Sequence, residues 1–313
     1  MAARAGITVI TLILAACSSA PGDTQGAGSA GPTPSAATPS VPSAVLATFD
    51  VGGDGWAMKA TRDHLWIQVD PPVDAIVRVD KRTGEAVPVV PFGQRPEVGP
   101  DGLWVSAGDW VVKVDPSTGE QSRRVPHGGA FTLAEGHGWL HTDDGDVYRV
   151  DVTTGRARKV AAVDPDVCGS TKDVAMAFGD LWLACKEGAV VRVPVDRGEP
   201  TVIPTASGTH TFALTEHALW VTNYEAGSIS RIDPATNEVT TIDGIGSSVG
   251  ITAGGGYVWS ADSMGIARID PSTAAIVGHL AVPAGSYYEL VWDDGVIWAS
   301  TRSARVLKID ATS

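Results

Sequence analysis

Three side chains in the sequence have the chemical types that general acid–base work needs: His210, whose imidazole titrates near neutrality, and the carboxylates of Asp262 and Glu289. Brought into one site they would set a base beside an acid, with Asn223 at hand to orient either. Each also has a plainer reading, as a hydrogen-bonded polar residue in a wet channel. A second set, Trp56, Arg95, Lys172, His210, Asn223, Tyr224, Asp262 and Tyr288, mixes aromatic faces with cations and amides and suits holding a ligand. Signatures with fixed mechanics are missing from the chain: there is no G-x-x-x-x-G-K-[ST], G-x-S-x-G, H-E-x-x-H or C-x-x-C. His137 and His141 flank Trp139 without a third ligand, so no metal site is expected. Gly254-Gly255-Gly256 reads as an expanded hairpin turn rather than a phosphate cradle, which would open a helix.

The elements that must position these residues are strands. Of 313 residues, 43% are hydrophobic and 19% charged, enough apolar surface for a large core. With 36 Gly, 20 Pro and 10 Trp against 5 Phe and 5 Tyr, the chain has many turns and one aromatic type used repeatedly, which favours an all-β fold. A net charge of −13 argues against nucleic acid as a partner, because phosphate contacts need clustered Lys and Arg.

Arg4 and the apolar run 6–16 have the charge and length of a signal peptide, well short of a membrane span. The run ends Leu14-Ala15-Ala16-Cys17-Ser18, which resembles the bacterial lipobox; the resemblance implies cleavage after residue 16 and lipidation of Cys17. The alternative is an ordinary secretory leader cut near Ala20. Lipidation would place the protein on the extracytoplasmic side of the cell membrane, held by its acyl chains. Residues 17–44 are almost purely Ser, Ala, Gly, Pro and Thr and read as a disordered tether, spanning roughly 28 Å as a flexible coil. The remaining cysteines, Cys168 and Cys185, are even in number in an oxidising compartment and read as a disulfide, with two buried thiols as the alternative.

From residue 45 to 313 the sequence repeats. A hydrophobic-Trp pair recurs at Trp66, Trp104, Trp139, Trp182, Trp220, Trp259 and Trp298, spaced by 38, 35, 43, 38, 39 and 39 residues, the period of propeller blades. Nine to twelve residues after each Trp comes a basic residue between apolar ones: Arg78, Lys113, Arg149, Arg192, Arg231, Arg268 and Lys308. Six units continue into an Asp-led turn such as Asp115-Pro-Ser-Thr-Gly119, while the fourth has Pro194 in that place. The expected fold is a seven-bladed β-propeller of four-stranded blades, A to D. The last unit stops after its strand C, so the strand-like segment Ala44-Val-Leu-Ala-Thr-Phe-Asp-Val51 is expected to supply the missing strand D and close the ring. Features present in every blade are read as architecture, the Trp residues packing between blades and the basic residues pairing with acids.

The blade texts Leu219-Trp-Val-Thr-Asn223 … Ile229-Ser-Arg-Ile-Asp-Pro-Ala-Thr-Asn237 and Gly102-Leu-Trp-Val-Ser106 … Val112-Lys-Val-Asp-Pro-Ser-Thr-Gly119 resemble the virginiamycin B lyase (streptogramin lyase) family and the wider YVTN-type and NHL-like propellers. The resemblance implies a seven-bladed propeller and, for a lyase, elimination at an ester bond of a cyclic depsipeptide by a His base, carboxylates and a magnesium ion in the channel. The slot where that family often carries Glu holds Val69, Ala107, Thr142, Cys185, Asn223, Asp262 and Thr301 here. Strand-A starts and strand-B ends meet on one face of a propeller, and counting nine or ten residues back from each Trp selects Trp56, Arg95, Gly129, Lys172 with Asp173, His210, Val249, and Tyr288 with Glu289. These differ from blade to blade, as a ligand site grafted on a repeat should. The expected function is a membrane-anchored, monomeric, non-enzymatic module that binds a small molecule, glycan or protein without a cofactor. The alternative is a lyase-like enzyme with His210 as base and Asp262 or Glu289 assisting, aided by magnesium.

Overall fold

The computed structural model describes residues 43–312, apart from Asp101, Arg197 and Ala284. The leader, Cys17 and nearly all of the tether lie outside these residues. Twenty-eight strands form seven antiparallel four-stranded sheets, each the blade of a β-propeller. Strand A of each blade meets strand A of the next, and blade seven meets blade one, so the ring is closed around a central channel. Val45–Asp50 pairs with Arg305–Asp310 as the outer strand of blade seven, joining the two ends of the domain. Ala44, where the sequence reading ends the tether and begins the closing segment, belongs to this seam. It is buried, and it bonds through its N–H to Ala281 O and through its carbonyl to Asp310 N.

The apolar residues gather into seven clusters, each spanning one blade and the next. The strand-B Trp sits at each boundary: Trp66 packs on Leu103 and Val112 of blade two, Trp182 on Phe212 and Leu219 of blade five, and Trp298 on Met58 and Leu65 of blade one. No repeat Trp is more than 4% exposed. Every one of them lies directly across from its basic residue, as in Trp66–Arg78, Trp104–Lys113, Trp220–Arg231 and Trp298–Lys308. The nine-to-twelve spacing is therefore a hairpin whose loop varies while the pair is kept.

The basic residues use their neighbours differently from the expected acid pairing. Arg149, Arg192, Arg231 and Lys308 stand over the Trp rings at 5.8, 5.1, 5.8 and 5.4 Å, a cation–π arrangement, and among these four Arg192 also pairs with an acid, Asp180. The turn aspartates are occupied by backbone instead. Asp80, Asp115, Asp151, Asp233 and Asp270 each accept the N–H groups two and three residues on, and these bonds help hold their carboxyls below the usual range wherever a shift is resolved. The residue four beyond each is left-handed, as the turn reading requires of Gly119 (φ 76°) and Asn237 (φ 61°), and it includes Ala274 at φ 57°.

Candidate functional site

The channel-lining strands A span Gly55–Ala60, Gln94–Gly99, Ala130–Ala134, Thr171–Ala177, Thr209–Thr215, Ile251–Gly254 and Tyr287–Asp293. Five of them, in blades one, two, four, five and seven, start with one residue more than the strand they pair with. In blade one, for instance, Gly55 faces Val69 and Met58 faces Ile67. Such a bulge turns a side chain out of the ladder, and the bulged positions here are Trp56, Arg95, Lys172, His210 and Tyr288. All five line one cavity of about 340 Å³ at the channel mouth. Arg95 takes left-handed backbone (φ 47°), where a non-glycine residue is strained, and its N–H is held by Gln68 Oε1 at 3.1 Å. Its guanidinium donates to Thr171 O at 3.0 Å, joining blade two to blade four past the side-chain-free Gly129 of blade three. Lys172 is fixed by the segment before it. A single helical turn, Pro165–Cys168, is capped by Asp164, and Cys168 is disulfide-bonded to Cys185, the strand partner of Thr171.

Deeper in the cavity lie four ionisable groups, Lys59, Glu97, Asp173 and Glu289. Lys59 Nζ is 3.0 Å from Glu97 Oε1, whose charge holds the ammonium well above the ordinary lysine range. Burial raises the carboxyls of Glu97 and Asp173 and lifts Glu289 well above its usual value. Asp173 accepts the N–H groups of Phe212 and Val174. Burial, then Lys172 and Arg95, depress His210 to about 4, so its imidazole is neutral at pH 7, with Nδ1 3.0 Å from Thr211 Oγ1. Lys172 is lowered by burial and by the like charges of Lys186 and Arg95. Above the cations, Trp56 and Tyr288 stack with centroids 3.9 Å apart, and Arg302 caps the Tyr288 ring at 5.8 Å. Trp56 Nε1 is anchored on Asp70.

The structure divides the residues that the sequence grouped. Trp56, Arg95, Lys172, His210, Tyr288 and Glu289 share the cavity. Asp262 lies in a neighbouring 250 Å³ pocket with Tyr224, Tyr288 and Arg302, and its Oδ2 bonds His279 Nε2 at 2.7 Å, so it is His279's partner and not a member of the His210 cavity. Asn223 is fully buried and binds Ser228, Ser230 and Thr209, which removes it from contact with a ligand. Lys59 and Glu97 went unnoticed in the sequence. Counted from the Trp pairs, the residue seven back is uncharged in five blades (Thr132, Ala175, Ala213, Thr252, Val291) and charged in these two, a departure that comparing the blades at that position would have found. Among the described residues no three His, Cys, Asp or Glu converge in a cluster that could hold a metal ion.

Fold and cavity together define a seven-bladed β-propeller with a small-molecule-sized channel site. Solved structures share this fold. Virginiamycin B lyase from Staphylococcus aureus superposes with a TM-score of 0.69 at 16% identity, covering 84% of this chain and 98% of the other; a catalytically inactive variant of that lyase, with quinupristin, matches equally. The WD40 β-propeller domain of Doa1 follows at TM-score 0.67 and 14% identity, over 84% and 95% of the two chains. BamB from Moraxella catarrhalis does so at 0.61 and 14%, over 84% and 96%. No protein-family model matches the chain, and no curated protein matches it in sequence.

Proposed function

We propose that the chain is a binding module whose channel mouth takes a small anionic ligand bearing a planar or apolar part. The observation that carries this reading is the charge arrangement of Arg95, Lys172 and His210. None of the three is within ion-pair distance of a carboxylate among the described residues, while Glu97 is engaged by Lys59 and Asp173 by backbone amides. Two cations and a neutral imidazole are thus held together at a cost that an anion would relieve. The Trp56–Tyr288 stack offers the ligand's ring an aromatic wall. The proposal includes a lipid anchor at Cys17 on the outer side of the membrane, a monomeric state and no resident cofactor; loss of acyl labelling in Cys17→Ser tests the anchor.

A thermal-shift screen of residues 43–313 against carboxylates, sugar phosphates, neutral sugars, divalent ions and cyclic depsipeptides tests the site, since a ligand of the native state raises Tm by mass action. Anionic compounds should stabilise the protein, and Lys172→Ala and His210→Ala should abolish the shift. A hit confined to neutral sugars would sink the reading.

A second reading rests on one observation, that the neutral His210 and Glu289, whose carboxyl burial raises well above its usual range, line the same cavity. A base and an acid so placed suit elimination. Incubation with a cyclic depsipeptide would then give a ring-opened product of unchanged mass with a new carboxyl group, and none with His210→Ala.

A further inference from the structure

On the face opposite the channel mouth, three Asp-Pro turns occupy equivalent places in blades two, five and six: Asp115-Pro116, Asp233-Pro234 and Asp270-Pro271. Each is approached by the repeat Arg of the preceding blade. Arg78 Nη1 donates to Pro116 O at 3.2 Å, and Arg192 Nη1 donates to Pro234 O at 2.6 Å and Asn237 Oδ1 at 3.0 Å. These bonds latch blade one to two and blade four to five. At the third junction the latch is open. Arg231 has no hydrogen-bond or ion-pair partner among the described residues, and its Nε is buried without one. It and Pro271 instead line a crevice of about 420 Å³.

The crevice has a cause in the sequence. The turn of blade six is Gly254-Gly255-Gly256, and it leans on blade seven: a Cβ on Gly254 would come within 2.2 Å of the Trp292 ring, while one on Gly256 would meet nothing within 4 Å. Glycine thus lets the turn pack away from blade five and leaves bare backbone on the crevice wall. Leu214, 41% exposed, and Tyr257 supply apolar walls, and the exposed Glu216 and His217 stand at the rim.

We propose that this crevice is a second binding site, separate from the channel, for a small carboxylate with a compact apolar body. The ligand's carboxylate would meet the Arg231 guanidinium where Pro116 O and Pro234 O meet theirs, with a second oxygen completing a bidentate pair. Its body would lie on Leu214 and Tyr257. The chain itself displays the chemistry twice, in a proline carbonyl held by an arginine that stands beside a tryptophan.

N-acetylproline is the probe, and its uncharged amide is the control. Titrated into the full-length protein, the acid should move the amide resonances of Gly256 and Ser272 saturably in the millimolar range, and N-acetylprolinamide should bind at least tenfold more weakly. Arg231→Gln should weaken the acid at least tenfold. Leu214→Glu, at a position 41% exposed, should do the same by placing a carboxylate in the crevice, and it keeps the test intact if Arg231→Gln does not fold. Absence of saturable shifts in the wild-type protein, equal binding of acid and amide, or wild-type binding by both variants would each overturn the proposal.

Discussion

In blade five, Trp220 faces Arg231 across strands B and C as six other Trp–basic pairs do in their blades, whereas His210, on the bulge of strand A, is answered elsewhere by Trp56, Arg95, Lys172 and Tyr288. One region repeats a chemistry seven times; the other varies it at every occurrence. In the repeated region each Trp is sealed between blades and each turn aspartate is filled by backbone N–H groups, while Nε1 of Trp104 and Trp139 and Nε of Arg231 and Arg268 are buried without a hydrogen-bond partner. The variable region is left in tension: a strained Arg95, two neighbouring cations and three carboxyls with raised pKa values. Stability resides in the lattice, and the mouth spends part of it on holding these groups together.

The largest effect that can break this comparison is a truncation in each region. Trp220→Ala should cost about 3–5 kcal/mol in urea unfolding, because it empties a sealed boundary. His210→Ala should stay within about 1 kcal/mol of wild type, since its side chain lines an open cavity. Equal losses would erase the distinction between lattice and site.

Next in size is the element that joins the two regions. The Cys168–Cys185 bond closes a 17-residue separation, so Cys168→Ser with Cys185→Ser should lower stability by about 3 kcal/mol on the chain-entropy account. Because the bond clamps the segment leading to Lys172, ligand affinity should fall as well. A variant that loses stability but binds as before would show that Lys172 is positioned by its strand alone.

The lattice was legible in the sequence because it depends on identity at a period, and Trp139–Arg149 or Trp259–Arg268 can be recognised without knowing the structure. Ring closure was legible for a related reason: a strand-like segment ahead of the first unit was left over by the repeat, and its strand Val45–Asp50 pairs with strand C of blade seven. The site was legible in part. Counting back from Trp found the bulged residues, but the bulges themselves have no marker in the chain, and one extra residue changes which side chains face the channel. Asp262 and His210 looked like partners because both sit at strand ends on one face. The structure gives Asp262 to His279, on the outer strand of its own blade. Lys59 and Glu97 escaped because the count from each Trp was read only at the start of strand A.

A smaller effect sharpens the claim that the site costs stability. Glu289 has a folded-state pKa above its unfolded value, so the folded state binds the proton more tightly. Its contribution to stability is therefore lost as pH rises from the unfolded value of about 4.5 toward the folded one. Glu289→Gln, which cannot ionise, should be more stable than wild type at pH 7 and indistinguishable from it at pH 4 in urea unfolding. His210 runs the other way: depressed to about 4, it stabilises the fold above the ordinary value of 6.5 and loses that contribution as the pH falls to 4. A gain in Glu289→Gln that persisted at pH 4 would point to packing rather than charge.

The smallest effect compares the same backbone strain in both regions. Ala274 and Arg95 both hold left-handed backbone, at φ 57° and 47°. In the lattice the strain has no use, since the equivalent turns carry Gly84, Gly119, Gly155 and Asn237. Ala274→Gly should therefore stabilise by about 0.5–1 kcal/mol with ligand binding unchanged. Arg95→Gly relaxes the same kind of backbone but removes the guanidinium from the mouth. Its stability should move little, as relief of strain offsets loss of the bond to Thr171 O, while anion binding should fall at least tenfold. If Arg95→Gly kept its affinity, the left-handed bend would be a turn requirement like that at Ala274, and the cation would lose its claim to the site.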